Sequence, residues 1–221
     1  MIFDFPANLE PTDVNIRPPR ATIGSSTSLS GRMQTQVAPR PPFGLKLTFD
    51  KLFGDDVLSW RAMEGLFEGR ANTVRIPLYD VWFRANDAAI GAGVVGFSDG
   101  TFFADGTGFL TDDLSGVTVT AVQGQRTITA DFGDYGQLLQ AGLFIGLGEY
   151  PNLARRVWWD GSVARIECAR TMMFDLVDEP LKLRPTMLAS LTSDDGANLE
   201  LTRARYGSPT LELLERIDGA L

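Results

Sequence analysis

The 221-residue sequence contains no histidine and a single cysteine, Cys168. Histidine is the only side chain whose unperturbed pKa falls in the physiological range, and zinc sites draw on Cys and His ligands. Their scarcity removes the groups from which most metal sites, nucleophilic triads and neutral-pH proton relays are built. It points to a structural part or binding module and away from an enzyme, leaving carboxylate or lysine chemistry as the remaining catalytic route. A lone thiol forms no intramolecular disulfide, which fits assembly in a reducing cytoplasm. Long apolar runs are lacking too: no stretch approaches the roughly 18 residues of a membrane-spanning helix. The opening MIFDFPANLE has no basic segment leading into an apolar one, so neither signal-directed export nor membrane insertion is expected.

What is present is ordinary globular material. Apolar residues make up 44% and charged residues 22%, proportions that favour a folded chain over wholesale disorder. The net charge of -8 is unevenly spread. From Val14 to Phe49 the charged residues are Arg17, Arg20, Arg32, Arg40 and Lys46 without a carboxylate, which leaves -13 for the rest of the chain. A basic front and an acidic body follow, and the body opposes adsorption to nucleic acid.

The first forty-two residues carry Pro6, Pro11, Pro18, Pro19, Pro39, Pro41 and Pro42, with the small residues of SSTSLSG between them. Proline removes a ladder donor, so the segment is unsuited to a central strand though able to pair at an edge. The expectation is an extended basic arm over 1–42 and one β domain over 43–221. Phe43, Leu45, Leu47 and Phe49 alternate with Gly44, Lys46, Thr48 and Asp50, the period of a half-buried strand. After Asp55 and Asp56, the residues Val57, Trp60, Met63 and Phe67 recur at helical spacing, which predicts one amphipathic helix near 55–68 ending by Gly69. Short strands are expected at Thr73–Tyr79, Gly116–Val122, Arg126–Ala130, Leu143–Leu147 and Leu211–Leu214. Asp160-Gly161 and Asp195-Gly196 carry hairpin-turn chemistry. One helix among many strands favours an antiparallel β-sandwich.

The motifs that carry chemistry are weak. GAGVVG at 91–96 has Gly-x-Gly-x-x-Gly spacing, but no βαβ context follows it. GLGEY reads as a strand end, and no GxxxxGK[ST] phosphate loop exists. Asp99, Asp105, Asp112 and Asp113 are oxygen donors that suit calcium, without EF-hand spacing; ordinary turn and solvation roles are the commoner explanation of such residues. Adjacent Asp112-Asp113 and Asp194-Asp195 point to opposite faces of a strand and make poor acid/base pairs. Cys168, inside ARIECA, reads as a core residue. No catalytic, cofactor or metal residue is therefore assigned. For contacts with other proteins the candidates are Arg17, Arg20, Arg32 and Arg40 of the arm, and Phe97, Phe102, Phe103 and Phe109 of a glycine-rich segment that also reads as a core hairpin. Trp158 and Trp159 join them, since beside a turn one ring faces inward and the other outward.

The order SLSGRMQTQVAPRPPFGLKLTFDKL, then WRAMEGLFEGRANTVRIPL, then QLLQAGLFIGLGE and the late Leu183-Arg184-Pro185, resembles distal tail proteins of long-tailed bacteriophages, and Ala141-Gly142 sits where that family has an AGD-like turn. The resemblance implies a β-sandwich subunit of a ring, commonly hexameric, in the virion tail tip. Its partners would be copies of itself, the tail tube protein and the hub or fibre proteins, with DNA passing through the lumen; neither cofactor nor catalysis is implied. Another tail component, such as a tube, terminator or hub-adjacent subunit, and a carbohydrate-binding module that uses the tryptophans, are the alternative readings.

Overall fold

The computed structural model describes residues 1–19, 22–28, 31, 33–37, 41–80, 94–95, 109–110, 114, 116–202 and 205–217. In chain order its elements are β1 (Ile2–Asp4), β2 (Asp13–Arg17), β3 (Thr22–Thr27), β4 (Met33–Val37), β5 (Gly44–Thr48), β6 (Leu52–Phe53), α1 (Asp55–Phe67), β7 (Thr73–Pro77), β8 (Val94–Val95) and β9 (Phe109–Leu110). They continue with β10 (Thr118–Ala121), β11 (Thr127–Asp131), a 3-10 turn at Gly133–Tyr135, β12 (Phe144–Leu147), β13 (Tyr150–Asp160), β14 (Val163–Cys168), β15 (Leu176–Lys182), β16 (Thr186–Leu191), β17 (Tyr206–Gly207) and β18 (Thr210–Glu215). The chain is mainly β with one α-helix among the described residues, as its composition of short strands implied. It divides into two compact units, Met1–Tyr79 with Thr186–Leu221, and Asp80–Pro185. The division therefore falls elsewhere than at residue 42.

Unit 1 is built on a six-stranded sheet in the order β1-β7-β16-β18-β5-β2. Only the β1–β7 pairing is parallel. Part of the expected arm thus belongs to the sheet: β1 and β2 are its two edges. Pro6 follows β1, Pro11 precedes β2, and Pro18 and Pro19 follow it, so the prolines delimit edge strands instead of abolishing them. β5 buries Leu45 and Leu47, with Phe43 and Phe49 buried at its ends, the alternation that a one-sided sheet requires.

Helix α1 turns Val57, Trp60, Met63 and Phe67 into the core of this unit. Trp60 meets Phe49 edge-on with ring centroids 5.0 Å apart, and Phe67 meets Phe3 at 5.1 Å. The Trp60 indole is fully enclosed, and its Nε1–H donates to the Ala197 carbonyl at 2.8 Å, so its polar atom is satisfied where water cannot reach. The helix stops where Glu68 adopts a left-handed conformation, φ 46°. Asp195-Gly196 makes a turn, with Gly196 N–H on Ser193 O at 3.0 Å. It does not close the expected hairpin, because no strand is formed directly after it and β16 takes β18 and β7 as neighbours.

Arg17 and Gly44 are the last partners of the β2–β5 ladder. Between them the chain forms a second ladder, β3 with β4, from Thr22↔Val37 to Thr27↔Met33. A turn in which Gly31 N–H bonds Ser28 O at 2.9 Å lies at its end. The outer part of the arm is therefore a two-stranded ribbon, six residues on its longer strand, or roughly 20 Å at the usual rise per residue.

Unit 2 contains a closed six-stranded barrel in the circular order β10-β11-β14-β13-β12-β15. All its pairings are antiparallel. This part of the chain is a barrel, where a sandwich was expected throughout 43–221. Inward residues such as Val119, Ile128, Ile145, Ile166 and Cys168 fill it. Two tight hairpins shape one wall. Leu147↔Tyr150 and Asp160↔Val163 are their last pairs, and Gly148 (φ 64°) and Gly161 (φ 63°) supply the positive dihedral each two-residue loop demands. GLGEY is thus a hairpin turn, and Asp160-Gly161 behaves as its chemistry predicts.

Candidate assembly surfaces

Trp158 and Trp159 fall on opposite faces of β13. Trp159 turns inward and meets Phe132 with centroids 5.1 Å apart, while Trp158 remains 47% exposed on the barrel wall. Register places Trp158 opposite Arg165 on β14, with Thr129 of β11 opposite Arg165 in turn. Arg156 and Asp160 flank it on its own strand. The strand is bulged between Ala154 and Arg156, which sets Arg155 and Arg156 at 3.8 and 3.6 Å from opposite oxygens of Glu167.

Arg17 is exposed at the end of β2, its side chain lying across Gly44, where a Cβ would come within 3.3 Å of it. Arg20, Arg32 and Arg40 lie outside the described residues, as do Phe97, Phe102 and Phe103. Phe109 pairs with Val95 in the β8–β9 ladder, and its side chain is outside them. The four aspartates weighed for calcium are likewise outside. Among the described residues no three acidic or thiol groups converge to hold a metal ion, and no helix is long and apolar enough to cross a membrane.

Cys168 is fully buried, and desolvation pushes its thiol up to about 12 against the pull of Arg170 and Arg126, the environment of a core side chain. Nearby, Arg170 is almost wholly enclosed and donates through Nη2 to the Pro151 carbonyl at 2.7 Å. In the middle of β5 Lys46 donates to Glu212 at 2.8 Å across the β5–β18 ladder, which holds the Glu212 carboxyl below its ordinary value. Unit 1 also has an open cleft of about 460 Å³ lined by Pro42, Arg70, Ser190, Glu215, Arg216 and Ile217. Its buried Glu215 accepts the Phe43 N–H at 2.9 Å, fastening the chain where it re-enters the sheet from the ribbon.

One surface was missed by the sequence reading. On the side of α1 away from its core face, Leu58 is 60% and Leu66 41% exposed, with Ala62 exposed between them. These positions are four residues apart and share one helix face. Phe53, just before the helix, is 67% exposed. The i, i+4, i+8 spacing was visible in the sequence, but the stronger stripe of Val57, Trp60, Met63 and Phe67 already accounted for the helix. No protein-family model matches the chain, and no curated protein matches it.

Proposed function

We propose that this protein is a structural subunit of a bacteriophage tail tip, repeated in a ring that joins the tail tube to the hub or fibre apparatus. In this reading unit 1 is the ring-forming body that corresponds to the family's β-sandwich, and the virion tail is where it resides. The observation that carries the reading is the β3–β4 ribbon. It leaves the unit 1 sheet between two neighbouring strands, its ladder is with itself, and the stretch that holds it, residues 20–40, carries Arg20, Arg32 and Arg40 and no carboxylate while the chain as a whole is anionic. Such an arm is built to reach another surface, and a head-to-tail contact of arm on body generates a ring when the rotation closes. Exposed ion pairs contribute only about 0–1 kcal/mol each. They orient the arm, while backbone pairing and buried apolar side chains supply the association energy. An acidic body facing the lumen would offer phosphate no counterion-release attraction, so DNA passes without sticking.

The test is deletion of residues 20–40, with a short turn joining the flanking chain. The full-length protein is expected to form a ring by light scattering and negative-stain microscopy, and the deletion variant to be a folded monomer with unchanged far-ultraviolet circular dichroism. A full-length protein that stays monomeric at high concentration, or an oligomer indifferent to the deletion, defeats the reading. A second reading, carbohydrate binding, attaches to Trp158, whose exposed ring lies among Arg156, Asp160 and Arg165. Selective glycan-array binding lost in Trp158→Ala would favour it.

A further inference from the structure

Helix α1 is apolar on two opposite faces. One is consumed by the core of unit 1, and the other, Leu58, Ala62 and Leu66, is left to solvent. A surface helix normally presents charge on the side opposite its core stripe, so a second apolar stripe marks a surface waiting for a partner. We propose that this face of α1 receives the β3–β4 ribbon of a neighbouring copy of the same chain. The inference deepens the ring reading and rests on it.

Three observations select that occupant. The stripe is exposed although the chain's own ribbon is present, so a single copy does not cover it. The helix and its C-cap carry four carboxylates, Asp55, Asp56, Glu64 and Glu68, against one cation, Arg61, whereas residues 20–40, the stretch that holds the ribbon, carry three cations, Arg20, Arg32 and Arg40, and no carboxylate. Opposite charge therefore flanks the apolar contact on its two sides, the arrangement that fixes register between partners. The ribbon also has an apolar group to deliver: Met33, beside the turn, is 73% exposed, and methionine adapts to irregular apolar surfaces.

Two single-cysteine substitutions in the full-length protein test the contact. Met33→Cys chains are mixed with Ala62→Cys chains and mildly oxidised, both positions being exposed and Cys168 being buried. A disulfide-linked dimer on non-reducing gels is expected in several-fold excess over either variant alone. The same samples are sized by light scattering. A ring without excess mixed dimer places the ribbon elsewhere and overturns the inference while the ring reading stands, and absence of any assembly overturns both. Independently, Leu58→Glu with Leu66→Glu is expected to abolish assembly with an unchanged melting temperature. Persistence of the ring in that variant overturns the inference.

Discussion

Pro77 and Thr186 face each other across the β7–β16 ladder although the whole of unit 2 lies between them in sequence. The barrel is therefore an insertion at the open end of a two-stranded pairing. Its entry and exit points are neighbours, so unit 1 has no topological need of it.

The first prediction is an excision. Replacing residues 80–185 by a short Asn-Gly-containing loop should leave a cooperatively unfolding unit 1. Leu78, buried, and Tyr79, edge-on to Phe5 at 6.2 Å, should be retained in that variant. Loop length alters closure entropy only slowly, about 0.6 kcal/mol per doubling, so the shortened protein should lose little stability from the cut itself. Thermal unfolding monitored by near-ultraviolet circular dichroism checks this, and a broad, non-cooperative melt would refute it.

The second concerns the paired tryptophans. Trp159→Ala removes a ring packed on Phe132 and the barrel core and should cost about 2–4 kcal/mol, somewhat under the figure for a fully buried aromatic because the ring is half-buried. Trp158→Ala should remain within about 0.5 kcal/mol of the parent, as expected for an exposed site. Urea denaturation of the two variants decides it. Equal losses would mean that the outward ring is as embedded as the inward one.

The third follows from the thiol in the barrel. Cys168 is raised from an ordinary 9.0 to about 12, chiefly because burial disfavours the thiolate. The folded value lies above the unfolded one, so the contribution to stability is complete below about pH 9 and is lost as pH rises toward 12, at up to about 1.4 kcal/mol per pH unit. Cys168→Ala should flatten that alkaline fall relative to the parent, whatever it costs in packing. The native thiol should also resist an aromatic disulfide reagent until urea unfolds the protein. Rapid labelling of the folded chain would contradict this.

Much of unit 1 was legible because its signals are local. The alternation from Phe43 to Phe49 sets β5, and the spacing of Val57, Trp60, Met63 and Phe67 sets α1. Proline pointed to edge pairing, and Pro6, Pro11 and Pro18 bound the two edge strands of the unit 1 sheet. The two-unit division was not legible. It depends on β7 finding β16 across an intervening barrel, and nothing in either strand names a partner so far away. Asp195-Gly196 misled because turn chemistry specifies a bend and is silent about whether strands flank it. The outer stripe of α1 escaped because apolar spacing alone cannot say which of two faces the fold will use.

The proline-bounded rims of the unit 1 sheet bear on how the protein tolerates crowding. A foreign strand attempting to extend that sheet finds a three-residue step at β1 and a five-residue step at β2, each with a proline, whose ring nitrogen has no hydrogen to offer, within two residues of its end. Raising the protein concentration should accordingly do little to promote strand-on-strand growth from either rim of this sheet.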